Sequence, residues 1–168
     1  GLGAIALARA AGAAKVLAFE TVAERRETAR SVGADAVWDP REVSASEVIL
    51  TETRGWGADM IVEAAGAGLA TMPEIERAFA PCGSMVYLGR TGLHVPVNLD
   101  VLVTRAARVV GARGHVGRGI FPRVIRLMES GRLSLDSVVT SRFPFERTID
   151  ALAASTKRID AKILVTYP

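Results

Sequence analysis

The sequence contains few of the residues that form disulfides, metal sites and membrane spans. Its 168 residues include one cysteine, Cys82, and two histidines, His94 and His115. A single thiol excludes an internal disulfide and is typical of proteins from a reducing compartment, so we expect a cytoplasmic protein. No apolar run reaches the roughly 20 residues of a membrane-spanning helix, and we expect no membrane partner.

The net charge of the chain is also small. Lysine and arginine total 21 and aspartate and glutamate 18, which gives a net charge of +3. This small excess does not indicate a nucleic-acid partner. Seven arginines and one acid, Glu129, lie between Arg105 and Arg132. This stretch is either a surface that contacts phosphate or another subunit, or an ordinary solvated face.

Short apolar runs alternate with segments of helical spacing along the chain. Strands are predicted at residues 15–20, 36–38, 60–62, 85–88, 108–112, 137–140 and 162–166. Helices are predicted at residues 3–11, 21–32, 44–53, 71–80, 123–130 and 145–155, three of them opened by capping boxes at Thr21, Ser44 and Thr71. Such alternation is typical of parallel βαβ units.

The predicted fold is an α/β Rossmann-type doubly wound parallel sheet in three αβα layers. In that fold a central strand precedes the glycine-rich turn, and no strand precedes Gly1 in this chain. Without that central strand, the strands beside it would have unpaired backbone N–H and C=O groups, and each unpaired group would lower stability by about 1–3 kcal/mol. We therefore expect that the first strand is missing from this chain and that the natural protein has residues upstream.

The first residues have the pattern of a phosphate-binding turn. Gly1, Gly3 and Ala6 occupy the three small positions of G-x-G-x-x-G/A, which allow a pyrophosphate to approach the amides of a helix N-terminus. Glu20 follows the next apolar run, where an acid binds the ribose hydroxyls and repels a 2′-phosphate. The pattern indicates NAD rather than NADP. The alternatives are a helix start that tolerates glycine and a surface capping acid.

Several segments together resemble the cofactor-binding half of the medium-chain dehydrogenases of the zinc alcohol dehydrogenase type. They are residues 1–7, 10–13, Arg25, 33–35, 53–59, 61–66, 131–133 and 160–165. The resemblance covers nearly the whole chain. Three positions depart from it: Ala4 stands where many members have proline, Ala6 where many have glycine, and Cys82 where a second glycine is common.

This resemblance implies an NAD-dependent alcohol or polyol dehydrogenase. Residues 1–135 would form the NAD-binding domain, and residues 136–168 would return to a catalytic domain that this chain lacks. Hydride would pass between the nicotinamide and an alcohol or carbonyl bound to zinc in that missing N-terminal domain, so the fragment alone would be inactive. The expected assembly is a homodimer or homotetramer, paired through the strand at residues 108–112.

The resemblance also assigns the cofactor-binding residues. Gly1, Gly3, Ala4 and Ile5 would lie along the pyrophosphate, while Glu20 would bind the ribose and Arg25 would border the adenosine. Four residues that follow two strands would approach the nicotinamide: Ala65, Gly66, Leu88 and Gly89. The alternative for these four is ordinary packing at strand ends.

Neither a catalytic residue nor a metal ligand is predicted within the chain. Cys82, His94 and His115 have no metal-ligand spacing, and zinc is expected only in the missing domain. His115, between glycines, either contacts cofactor or substrate or makes a loop hydrogen bond. Two other functions remain open: a zinc-independent, quinone-reductase-like NADPH oxidoreductase and a non-catalytic nucleotide-sensing domain. The substrate's identity is not indicated.

Overall fold

The computed structural model describes residues 1–113, 117 and 119–167, which form two compact units. The middle unit consists of Gly1 and residues 41–120. The split unit consists of residues 2–40 together with the chain from Phe121 onward. No helix in the described part of the chain is long and apolar enough to cross a membrane.

The middle unit is built around one parallel sheet. Its elements in chain order are α3 (Ala45–Glu52), β3 (Ala58–Glu63), α4 (Gly68–Ala78), β4 (Phe79–Tyr87), α5 (Leu99–Arg105) and β5 (Arg108–Gly111). The strand order is β3-β4-β5, with Met85 of β4 opposite Ile61 on one side and Val109 on the other. The core cluster of this unit is Met72, Ile75, Phe79 and Met85.

The split unit contains two two-stranded parallel sheets, β1-β2 and β6-β7. Its first segment carries α1 (Leu2–Ala10), β1 (Leu17–Phe19), α2 (Ala23–Ser31) and β2 (Ala36–Trp38). Its second segment carries α6 (Ile120–Glu129, all but the first residue), β6 (Val139–Pro144), α7 (Thr148–Thr156) and β7 (Lys162–Thr166), with 3₁₀ turns at Asp136–Val138 and Phe145–Arg147. Two clusters of small side chains form its core: Ala6, Val32 and Leu133, and Ala29, Ala34 and Val37.

The parallel α/β class is confirmed, since every strand pair is parallel and consecutive strands are separated by a helix. Strands β2 and β7 have the predicted bounds, and Ser44 caps α3 by accepting the N–H of Glu47. The boundary predicted after residue 135 stays a prediction, as does an upstream strand.

Several predicted boundaries are wrong. Thr21 does not cap α2, because the N-cap is Val22 and no side chain caps it. Helix α4 begins at Gly68, three residues before the predicted capping box at Thr71. Residues 136–138, predicted within a strand, form a 3₁₀ turn, so β6 starts at Val139. Helix α5 was not predicted.

Candidate functional site

The glycine turn leads directly into α1. Gly1 precedes the helix, and Gly3, Ala4 and Ile5 lie in its first turn. Leu2 and Ile5 pack on the small-residue core of the split unit, whereas Gly3 is exposed. A side chain built at Gly1 or Gly3 would meet no protein atom within 4 Å. The space beside Gly1 and Gly3 is therefore open, and an anion could approach the N–H groups of the first turn there.

Glu20 lies immediately after β1, beside the end of β2. Its backbone N–H donates to the Trp38 carbonyl at 3.0 Å. Its Oε1 accepts the N–H of Val22 at 3.0 Å and the hydroxyl of Thr21 at 3.4 Å. Both hydrogen bonds that the described structure shows on this carboxylate go to Oε1 and leave Oε2 available. One carboxylate oxygen thus fixes the side chain, and the other can accept a hydroxyl group.

Arg25 lies on α2 and contacts the last part of the chain. Its Nη2 donates to the Asp160 carbonyl at 3.0 Å, and its Nε is buried without a hydrogen-bond partner in the described structure. The Ser141 and Thr140 hydroxyls, with the Arg25 charge, hold the pKa of the Asp160 carboxyl below its usual value. Arg25 therefore joins α2 to the β6–β7 segment. A role beside the adenosine stays a prediction.

In the middle unit, the ends of β3 and β4 lie next to each other. Glu63 ends β3, and its carbonyl accepts the N–H groups of Leu88 at 2.8 Å and Gly89 at 3.0 Å, just past β4. Gly66 has φ +70°, a conformation that favours glycine. A side chain at Gly89 would collide with the Gly66 nitrogen and with Glu63 Oε2. The structure thus brings Gly66 and Gly89 into contact.

Glu63 is a site residue that sequence reasoning did not assign. It is 3% exposed, and its Oε1 accepts the N–H groups of Ala65 at 3.2 Å and Ala67 at 3.3 Å. Its Oε2 is buried without a hydrogen-bond partner in the described structure. The available signal was an acid at the end of an apolar strand, directly before a glycine-containing turn.

The predicted cofactor residues fall in both units. Gly3, Ala4, Ile5, Glu20 and Arg25 belong to the split unit, whereas Gly1, Ala65, Gly66, Leu88 and Gly89 belong to the middle unit. Cofactor contact by each of them stays a prediction.

A zinc site does not fit the described residues. Among them no group of three or more histidine, cysteine, aspartate or glutamate side chains is placed to hold a metal ion. Cys82 and His94 are both exposed. His115 lies outside the described residues.

The sequence pattern of the family described as zinc-binding dehydrogenase matches residues 1–130. The chain belongs to this family. The medium-chain dehydrogenase resemblance is therefore confirmed. Scyllo-inosose 3-dehydrogenase of Thermotoga maritima is 39% identical over 135 residues, which are 78% of this chain and 34% of that protein. Erythritol/L-threitol dehydrogenase of Mycolicibacterium smegmatis is 29% identical over 168 residues, 98% of this chain and 46% of that protein.

Solved structures show the same fold. An alcohol dehydrogenase from Thermus sp. ATN1 superposes with a TM-score of 0.89 at 26% identity, covering 99% of this zinc-binding dehydrogenase chain and 48% of its own. The 2R,3R-butanediol dehydrogenase from Bacillus subtilis superposes with a TM-score of 0.85 at 27% identity, covering 98% and 48%. The chain thus has the Rossmann-type α/β fold and spans less than half the length of these relatives.

Proposed function

We propose that this chain is the cofactor-binding portion of an NAD-dependent oxidoreductase of the alcohol or polyol dehydrogenase type. Bound NAD would supply a hydride acceptor or donor at its nicotinamide ring. The observation that carries this proposal is the open first turn of α1, followed by Glu20 with one carboxylate oxygen held and the other unengaged. The open turn of α1 suits a pyrophosphate, and the available oxygen of Glu20 suits a ribose hydroxyl.

Glu20 also supports NAD over NADP as the cofactor. A 2′-phosphate would add about two negative charges beside a carboxylate that Val22 fixes in place. At a few ångströms two like charges repel by about 1–4 kcal/mol near a protein surface. This repulsion disfavours NADPH, which is the cofactor expected of a quinone-reductase-like enzyme.

The names of relatives support an alcohol, polyol or carbonyl substrate. They include dehydrogenases of scyllo-inosose, of erythritol and L-threitol, and of L-threonine. Zinc, as the family description implies, would have to be held by residues other than those described here, in a catalytic domain that precedes this chain. Residues 136–168 would return to that domain, and this chain alone would be inactive.

For assembly, we propose a cytoplasmic homodimer, or a homotetramer built from it, paired through β5. This strand is at an edge of the three-stranded sheet, and its Val109 and Val110 are exposed. An apolar sheet edge can pair with another chain. Val110→Lys should therefore lower the mass measured by light scattering. An unchanged mass would exclude this interface.

The central test measures nucleotide binding by calorimetry with the natural protein in its full length. We expect NADH to bind more tightly than NADPH. Glu20→Ala should weaken NADH binding about tenfold or more, since a hydrogen bond to a charged group contributes about 1.5–3 kcal/mol. Glu24→Ala, on the exposed face of α2, is the matched control and should leave NADH binding unchanged.

Three outcomes would contradict the proposal. Tighter binding of NADPH than of NADH would favour the quinone-reductase-like alternative. Tight nucleotide binding without turnover of any member of a broad alcohol and polyol panel would favour a nucleotide-sensing domain. Equal effects of Glu20→Ala and Glu24→Ala would remove Glu20 from the site.

A further inference from the structure

Glu63 makes hydrogen bonds with both strand ends of the candidate site. Its side-chain Oε1 accepts two N–H groups from the turn after β3, those of Ala65 and Ala67. Its backbone carbonyl accepts two N–H groups from the segment after β4, those of Leu88 and Gly89. One residue therefore fixes the two segments that are predicted to approach the nicotinamide.

The contacts around Glu63 Oε2 leave this junction little freedom. A side chain at Gly89 would collide with this oxygen and with the Gly66 nitrogen. A side chain at Gly66 would approach the Arg90 carbonyl oxygen at 3.0 Å. The two glycine segments therefore lie against each other and against the Glu63 carboxyl. A shift of that carboxyl changes the position of both.

The second carboxyl oxygen of Glu63, Oε2, lies in an unfavourable environment. Oε2 is buried and takes no hydrogen bond from the described residues, which is an unfavourable arrangement for a polar atom. Glutamine would keep one oxygen for Ala65 and Ala67 and would bury an NH2 group in place of Oε2. Proteins commonly break such local rules at functional sites.

We propose that Glu63 is a positioning residue for the cofactor. It holds the ends of β3 and β4 in the arrangement that receives the nicotinamide half of the dinucleotide, without touching the reacting atoms. This inference rests on the proposed function. It concerns only the nicotinamide half, because the adenosine half is assigned to the glycine turn and Glu20, which belong to other elements.

The test separates these two halves of the ligand. NADH and AMP are titrated against the full-length natural protein and against its Glu63→Ala and Glu63→Gln variants. Glu63→Ala should weaken NADH binding about tenfold or more, because the N–H groups of Ala65 and Ala67 lose the acceptor that fixes their turn. AMP binding should stay within about twofold of the original protein. The emission shift of bound NADH should be lost in the same variant.

Two further variants make the test specific. Glu63→Gln retains an acceptor oxygen and should restore NADH binding and its emission shift. Glu74→Gln changes another hydrogen-bonded carboxylate of the middle unit, which accepts from Ser44 and Ser46, and should affect neither nucleotide. Where Glu63→Ala fails to fold, Glu63→Asp carries the test, since its shorter side chain stretches the same hydrogen bonds.

The two proposals fail in different ways. Wild-type protein that binds neither NADH nor AMP overturns the proposed function and this inference with it. Wild-type protein that binds both, with NADH binding unchanged in Glu63→Ala, overturns the inference alone. An equal loss of NADH and AMP binding in Glu63→Ala also overturns it, because general destabilisation would then suffice.

Discussion

The two units have different kinds of interior. In the middle unit the core consists of large side chains, with Phe79 1% exposed and Met85 fully buried. In the split unit the buried apolar residues are mostly alanine and valine, joined by Leu133. Small side chains bury less apolar area, and each buried methylene contributes only about 0.8 kcal/mol.

Arginine side chains connect separate elements of the split unit. Arg9 pairs with Asp35, Arg26 pairs with Asp39 at 3.0 Å, and Arg25 reaches the Asp160 carbonyl. These contacts join helices α1 and α2 to the strands and loops beside them. The comparison indicates that packing of large side chains contributes more in the middle unit, whereas arginine contacts that respond to pH and salt join the elements of the split unit.

The largest expected effect is on packing in the middle unit. Phe79→Ala should lower its free energy of unfolding by about 3–5 kcal/mol, because it removes a buried aromatic ring and leaves a cavity. Hydrogen exchange of peptides from residues 41–113 measures this loss. Leu69→Ala, at an exposed position of α4, is the control and should change stability by less than about 0.5 kcal/mol. Equal losses would contradict the assigned core.

The next effect concerns the partly buried ion pair of the split unit. Arg26→Ala should cost about 1.5–3 kcal/mol, because it removes the hydrogen bond that Arg26 donates to the Asp39 carboxylate, whose side chain is 2% exposed. Exchange of peptides from residues 2–40 measures the change. Arg30→Ala removes the exposed pair with Glu27 and should cost less than about 0.5 kcal/mol. If Arg26→Ala is as mild, charge is not what stabilises this unit.

A smaller effect tests the helix caps. Ser44→Ala should cost about 1 kcal/mol or more, because the Ser44 hydroxyl accepts the Glu47 N–H at the start of α3 and donates to Glu74 Oε2. Thr21→Ala should cost much less, since Thr21 does not cap α2. Thermal unfolding of the two variants gives the comparison. A larger shift for Thr21→Ala would contradict the observed N-caps.

The smallest effect is on acid stability through Asp35. The Val16 N–H and the Arg9 guanidinium hold the pKa of the Asp35 carboxyl below its usual value, although burial opposes them. The carboxylate therefore stabilises the fold above about pH 4, and this contribution is lost as pH falls through the lower folded pKa. It should amount to less than about 1 kcal/mol, because a third of the side chain is exposed.

Asp35→Asn measures that contribution directly. The variant should melt below the original protein at pH 7, and the difference should shrink as pH falls to about 3. A melting difference that is the same at both pH values would assign the effect to shape rather than charge.

Sequence patterns predicted the elements whose formation depends mainly on residues close together in the chain. Strand β2 and the Ser44 cap follow from an apolar run and from short-range hydrogen bonding. Helix α5 was missed because it has seven residues and its main signal is one capping residue, Asn98. Helix α4 starts at Gly68 and not at Thr71. Gly68 is packed against residues distant in sequence, since a side chain there would collide with Tyr87 and Val95, and the local pattern does not show such contacts.

In the candidate site, too, residues that follow a local motif were predicted and residues that depend on distant contacts were not. Glu20 was predicted from its spacing after the glycine turn, because that spacing follows from one βαβ unit. Glu63 carries no such motif. Its role depends on Leu88 and Gly89, which β4 brings to its carbonyl from a distant part of the chain. Sequence reasoning could place each strand end, but not the carboxyl that joins them.

The strand pairing also has a consequence for how the chain folds. Every described strand pairs with the next or previous strand in the sequence, roughly twenty residues along the chain, as Leu17 does with Ala36 and Met85 with Val109. Each crossover therefore closes a short loop, at a modest entropic cost. Parallel sheets usually form slowly because their partners are distant. Here the strand partners are close in sequence, although the core of the split unit is complete only when Leu133 packs against Ala6 and Val32.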